Sequence, residues 1–360
     1  MSRDEAFRAR LRRLRRDTAP SEATSGSPVP QPEPRLESRP EPQLEPWLRA
    51  RLAAGLRHSE RRERARRGTS GAEVRDAALL CPASLGLPEG LVPVVGARGR
   101  FLHRTTIVAA DHRHGDFSLD EVHAADPDAF ALLTGDEALA RLEPSRVVYL
   151  DTETTGLSGG AGTIVFQIGL GRFTECGFEL WQGFLERHED EAALLEEAAA
   201  RVRASTGVVS FFGKSFDRHR LEDKMRMYGV ESPFAECPHL DLYHPLRRLF
   251  RGRLSDGRLR TLEQALCGVE REDDLPGAHA PAAWFDFLAG REHRLERVFR
   301  HNADDVLSLV TLAAWLGRVA LGGRAGGAEL PGAGAHTDLA LARALLDARR
   351  HGEALECGLR

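Results

Sequence analysis

The chain predicts an α/β domain: a mixed five-stranded sheet with helices on both faces, an N-terminal extension ahead of it and a short helical hairpin behind it. Three observations carry that expectation. Apolar runs of strand length stand at 146–152, 164–173, 178–185, 208–212 and 239–242. Helical spacing occupies 190–204, 216–228 and 295–319. The order is three strands in succession, a helix and then another apolar strand, which makes a mixed sheet with helical cover.

From the N-terminus, residues 1–46 read as a disordered, basic and Pro-rich segment. Its arginine-rich start, Phe7 to Arg16, is interrupted as a transit helix by Asp4, Glu5 and Asp17. The near-repeat Pro32-Glu-Pro-Arg-Leu-Glu37 and Pro40-Glu-Pro-Gln-Leu-Glu45 has too little apolar area to offset its ordering entropy. A helical extension is expected over 47–98, with the basic run 61–67 either on a solvated face or against phosphate. Alternation from Arg100 to Val108 and a turn at His112-Arg-His-Gly115 predict a leading β-hairpin, with both histidines exposed at its tip. The main domain then covers 99–320.

Glycines between Gly322 and Gly334 mark a linker over 321–336, and 337–360 reads as helix, turn at Gly352, helix. This is the outline of one tetratricopeptide-type unit. A lone unit cannot bury its apolar face, so it caps the main domain, meets a protein partner or belongs to a longer array. A formal charge of −4 over 360 residues announces no nucleic-acid binder by itself, although local basic clusters escape that total. The five scattered cysteines have no CxxC spacing, which argues against a zinc cluster or a disulfide framework and fits a reducing cytoplasm. No apolar stretch reaches the roughly 18–20 residues needed to cross a bilayer, so no membrane partner is expected.

The chemistry is carried by acids. Asp151-Thr-Glu153 ends the apolar run Val147 to Leu150, and residues i and i+2 of a strand share a face. Two neighbouring carboxylates repel unless one is protonated or a divalent cation lies between them. Asp-x-Glu also fits a solvated strand end. Asp217 follows Gly213-Lys-Ser-Phe216 in the first turn of a helix, where a carboxylate is also favourable beside free N–H groups. The strand before it should lie near the first, opening both ends onto one crevice. A phosphate-loop reading of Gly-Lys-Ser fails, because Val208 stands where the first glycine is needed. In the last helix, Val298, His301, Asp305, Leu309, Leu312 and Leu316 form one stripe. Asp304 falls on another face with Arg297, Arg300, Ser308 and Thr311, read as solvated. An acid on an inward stripe needs a partner or a metal, so Asp305 is the candidate ligand, and His301 faces the same cavity. The run Arg247, Arg248, Phe250 and Arg251, with Lys214, offers cations and an aromatic for a single strand, or a solvated helix.

Taken together, Asp151, Glu153, Asp217 and Asp305 resemble, in order, the four acids of the ribonuclease H-like DEDD exonuclease superfamily. More narrowly, 156–163, Gly213 to Asp217, His239-Leu-Asp-Leu242, Asp273-Asp-Leu-Pro-Gly277 and His301-Asn302 resemble the YprB-like family, over about residues 90–320. The resemblance implies a ribonuclease H-like sheet and 3′→5′ exonuclease hydrolysis of single-stranded DNA or RNA. It implies two Mg²⁺ or Mn²⁺ ions bridged by Asp151, with Glu153, Asp217 and Asp305 completing their shells and His301 orienting or deprotonating water. It also implies C-terminal tetratricopeptide helices, a helicase as partner and a role in genome maintenance. Two positions depart from the pattern: Phe212 stands where asparagine is usual, and three residues rather than four separate His301 from Asp305. These departures keep open an alternative, a catalytically weakened binding or scaffold module on the same fold.

Overall fold

The computed structural model describes residues 85–156, 163–319 and 330–358. The predicted 1–46 segment, most of the 47–98 extension, the core of the glycine-rich loop and most of the linker lie outside the described residues.

Nine strands are described. They are β1 (Val92–Gly96), β2 (Gly99–Val108), β3 (Arg113–His114), β4 (Phe117–Ser118), β5 (Val148–Thr154), β6 (Val165–Thr174), β7 (Gly177–Phe184), β8 (Val208–Ser210) and β9 (His239–Asp241). Seven of them form one sheet in the order β1-β2-β7-β6-β5-β8-β9. Strands β5, β6 and β7 pair antiparallel, whereas β8 lies parallel beside β5 and β9 parallel beside β8 because helices intervene. The five predicted strands are all present, and β1 and β2 extend their edge.

That extension corrects the hairpin. Strand β2 turns back through Ala97 and Arg98 onto β1, with Gly96 opposite Gly99, and its other edge pairs with β7. The expected extension helix therefore gives way at Val92 to a strand rich in β-branched residues. The predicted turn at His112–Gly115 does form, but it closes only the two-residue ladder of β3 and β4. His114 is not an exposed tip residue: it is buried, its Nε2 2.8 Å from Ser308 Oγ.

The helices are α1 (Pro127–Thr134), α2 (Glu191–Arg203), α3 (Asp217–Tyr228), α4 (Tyr243–Phe250), α5 (Leu259–Cys267), α6 (Ala280–Leu288), α7 (Leu295–Val319), α8 (Ala335–Asp347) and α9 (His351–Gly358). Strand alternation divides the apolar side chains between two cores. Along β5, Val148 and Leu150 enter one core with α2, α3 and α6, and Tyr149 enters the other with α4, α5 and α8. Helix α7 belongs to both, contributing Val298 and Phe299 to the first and Leu309, Leu312 and Leu316 to the second. It thereby crosses the sheet where the acids stand. Helices α8 and α9 pack on each other, α8 leans on α4 and α1, and Leu341, Leu345, Ala354 and Cys357 enter the second core.

Candidate functional site

Asp151 lies on β5 directly opposite Gly169 of β6, and a helical side chain uses the space that glycine leaves. A Cβ at Gly169 would stand 2.3 Å from Asn302 Oδ1. The absent side chain therefore lets Asn302 reach down from α7 and donate through Nδ2 to Asp151 Oδ2 at 2.8 Å. Gln182 fixes the amide orientation: its Nε2 donates to Asn302 Oδ1 at 2.9 Å and to the Phe299 carbonyl at 2.7 Å. Burial, then the charges of Asp305, Glu153 and Asp217, push the Asp151 carboxyl well above the usual range.

Asp217 arrives through β8. Parallel pairing sets Tyr149 opposite Val209, so the β8 turn opens beside the end of β5. That turn is tight, since a Cβ at Gly213 would meet Ser210 Oγ at 2.2 Å. It is anchored on Asp241 of β9, whose carboxylate accepts the N–H groups of Phe212 at 2.7 Å, Lys214 at 3.0 Å and Tyr243 at 3.1 Å. Thr152 donates its hydroxyl to Asp217 Oδ1. Burial raises Asp217 to about 7; the Thr152 bond opposes the shift, and the charges of Asp241 and Asp305 add to it. Phe212 has φ 59°, in the left-handed region that asparagine adopts more easily than a bulky residue.

The third group comes from α7 and the 268–276 loop. Asp305 Oδ1 lies 2.6 Å from Arg271, whose buried guanidinium also makes two 2.6 Å bonds to Glu263. His301 Nδ1 stands 2.7 Å from Asp274 Oδ1, while its Nε2 faces Asp305 at 3.6 Å and Glu153 at 3.8 Å. Burial would lower the His301 pKa. The carboxylates of Asp305, Asp274 and Glu153 outweigh it and raise that pKa to about 10. The loop is tied to α7 by Arg297, which pairs with Asp273 at 2.8 Å and donates to its carbonyl at 3.0 Å.

The structure thus brings Asp151, Glu153, Asp217, His301 and Asp305 into one electrostatically coupled group at the β5 end of the sheet. Arg247, Arg248 and Arg251 line a separate cleft between α4 and α8. Lys214 does not line it and pairs with Asp136 at 3.5 Å. Glycine-loop residues 157–162 lie outside the described residues. The expectation of a solvated face around Asp304 is corrected: Arg297, Ser308 and Thr311 are buried, and burial lifts the Asp304 carboxyl to about 6. In a helix enclosed by the sheet, α5 and the 268–276 loop, more than one stripe is covered.

Sequence reasoning gave no role to Asn302, Asp241, Asp274, Arg271 or Glu263. The first three stand inside the motifs that carry the family resemblance, and that placement was the available signal. Arg271 and Glu263 are ordinary charged residues in sequence, and only the fold buries them.

Among the described residues, no three His, Cys, Asp or Glu side chains already stand in ligating geometry. The nearest cationic group to Asp305 is the Arg271 guanidinium. The donor set nevertheless fits a hard divalent cation: it is all carboxylate, burial and then mutual repulsion raise Asp151 and Asp217, and a bound cation would relieve the repulsion.

Comparison with known proteins agrees with this architecture. The RNase_H_2 family, described as RNase_H superfamily, matches residues 148–317, from the start of β5 to the end of α7. The chain is 31% identical over 231 residues to "Uncharacterized protein YprB" of Bacillus subtilis (strain 168), covering 62% of this chain and 54% of that protein. It therefore spans about half the length of the curated relative it matches. With the mixed sheet and the shared stretch in agreement, residues 148–317 match the RNase_H superfamily and the chain is similar to the YprB protein.

Proposed function

We propose that the chain is a metal-dependent 3′→5′ exonuclease that hydrolyses phosphodiester bonds of single-stranded nucleic acid, DNA in preference to RNA. The observation that carries this reading is that four carboxylates from β5, α3 and α7 meet around the interior strand β5, close enough to couple electrostatically. Two Mg²⁺ or Mn²⁺ ions, held by Asp151, Glu153, Asp217 and Asp305, would supply charge stabilisation for an in-line displacement by water. Asn302 holds Asp151, Thr152 holds Asp217 and Arg271 holds Asp305, so three of the four acids are oriented by a neutral or cationic partner. His301, kept protonated by its carboxylate neighbours, faces Asp305 and Glu153 through Nε2 and would orient rather than deprotonate water in this state. The 3′→5′ polarity, a helicase partner, a protein partner on the C-terminal helices and a cytoplasmic role in genome maintenance belong to the same proposal and rest on the DEDD and YprB resemblance.

The test is digestion of 5′-labelled single- and double-stranded DNA and RNA with Mg²⁺ or Mn²⁺, wild type against Asp151→Ala. Expected is a ladder of stepwise shortened single-stranded DNA that the variant does not produce. Equal cleavage by Asp151→Ala would overturn the assignment.

One observation favours a second reading, a binding module with weakened catalysis: Arg271 already engages the carboxylate that a metal would need. Calorimetric titration with Mn²⁺ separates the two. Saturable binding lost in Asp305→Ala supports the nuclease, and no binding supports the module.

A further inference from the structure

A cleft of about 840 Å³ lies between α4, with the turn after it, and α8, and the carboxylate site makes no use of it. Arg247, Arg248, Arg251 and Arg253 stand on one side and Arg343 on the other, and no Asp or Glu is among its lining residues. Among the described residues, none of Arg248, Arg251, Arg253 and Arg343 is held in an ion pair. Like charges gathered on one cleft repel, and a bound polyanion would relieve that repulsion. A further unmet polar group is on the wall: His336 Nε2 is buried without a hydrogen-bond partner.

Two features select the polyanion. His244, with 57% of its side chain exposed, presents an aromatic imidazole ring at the cleft's α4 end. Leu339, 52% exposed, adds an apolar surface on the α8 side. Cations alternating with aromatic and apolar faces suit single-stranded nucleic acid, whose phosphates and unstacked bases need both. An acidic peptide uses only the charges. Asp241 ties the cleft's wall to the carboxylate site, because it anchors both the loop leading to Asp217 and the first residue of α4.

We propose that this cleft binds the sugar-phosphate backbone of a single strand beyond the scissile bond, making α8 of the C-terminal hairpin one wall of the substrate track. The proposal rests on the nucleic-acid reading above and is tested without catalysis. Fluorescence anisotropy of a fluorescein-labelled single-stranded DNA oligonucleotide with the full chain in EDTA, across a salt titration, reports affinity and the number of phosphate contacts. Arg343 is exposed, so its replacement leaves folding intact, which circular dichroism checks. Arg343→Glu should weaken binding about tenfold at low salt and flatten the log–log salt slope by about 0.7 or more. The Arg248→Glu/Arg251→Glu double variant should lose more. Wild-type affinity and slope in Arg343→Glu, or no oligonucleotide binding by the wild type, would overturn the proposal. So would displacement of the oligonucleotide by poly-glutamate at equal charge, which assigns the cleft to acidic protein. Asp151-dependent cleavage with unchanged Arg343→Glu binding sinks the cleft alone. Unchanged cleavage by Asp151→Ala with impaired Arg343→Glu binding sinks the catalytic reading alone.

Discussion

At the scale of single residues, the site is held by side chains that do no chemistry. Asn302 is fully buried, and its amide is spent on Asp151 and Gln182. Asn302→Ala should therefore cost 10- to 100-fold in Mn²⁺ affinity, by calorimetry, with little change in helix content. Gly169→Ala should reproduce that loss, because its methyl group takes the place of the Asn302 amide. Wild-type Mn²⁺ affinity in both variants would remove Asn302 from the account. Arg271 sits between Glu263 and Asp305 with 2% of its side chain exposed. Removing one partner of a buried pair leaves an uncompensated charge, so Arg271→Ala should lower unfolding stability by about 3–5 kcal/mol in urea titrations. Arg271→Lys should not rescue it, since an ammonium cannot reproduce the two-pronged contact with Glu263. A loss below about 1 kcal/mol would show that the pair is a surface-like contact. Phe212 was legible as a departure from the superfamily pattern. Its positive φ supplies the physical content of that departure, because the usual asparagine suits this backbone.

At the scale of elements, strands were the most legible feature, because short β-branched and aromatic runs bounded by turns have few alternatives. Partners were not. The β2 run alternates cleanly, but sequence does not say whether it pairs with an N-terminal or a C-terminal neighbour; β1 and β7 took its two edges. Helix α7 was placed correctly from Leu295 to Val319 and its inward apolar stripe is buried, whereas the face around Asp304 was not solvated as expected, because burial depends on what surrounds the helix. The C-terminal helices likewise read as helices, although the turn falls at 348–350 and Gly352 lies inside α9, and the docking of α8 on α4 and α1 is a tertiary outcome. That docking makes a prediction. Leu345 is buried in the second core, so Leu345→Ala should cost about 2–5 kcal/mol and shift one common unfolding transition. A separate, early transition for the tail would show that α8 and α9 are not part of that core.

At the scale of the whole molecule, burying several acids together makes stability depend on pH. Asp217, raised to about 7, keeps a proton in the folded state that the unfolded chain has already released. Its contribution is therefore complete below about pH 4 and is lost as pH rises to 7. His301, raised to about 10, stabilises fully below about 6.5 and loses that contribution as pH rises through 10. Both act in the same direction. In EDTA, Tm should fall between pH 5 and pH 9, and Mn²⁺ should flatten the decline by replacing the lost protons as counter-charge. A Tm that rises with pH in EDTA, or an identical slope with Mn²⁺, would contradict the coupling.

The sequence by itself determined the five central strands, the long helices and the acids of the candidate site, because hydrophobic period and turn chemistry are local and an acid on an inward stripe is conspicuous. It also placed the four carboxylates in the order that resembles a known superfamily. Only the tertiary structure decided how those acids are held: a missing Cβ on β6 admits Asn302, a β9 carboxylate anchors the loop before Asp217, and a loop arginine meets Asp305. These partners are far apart along the chain, and nothing in local pattern encodes a contact that exists only after the sheet has brought its strands into register.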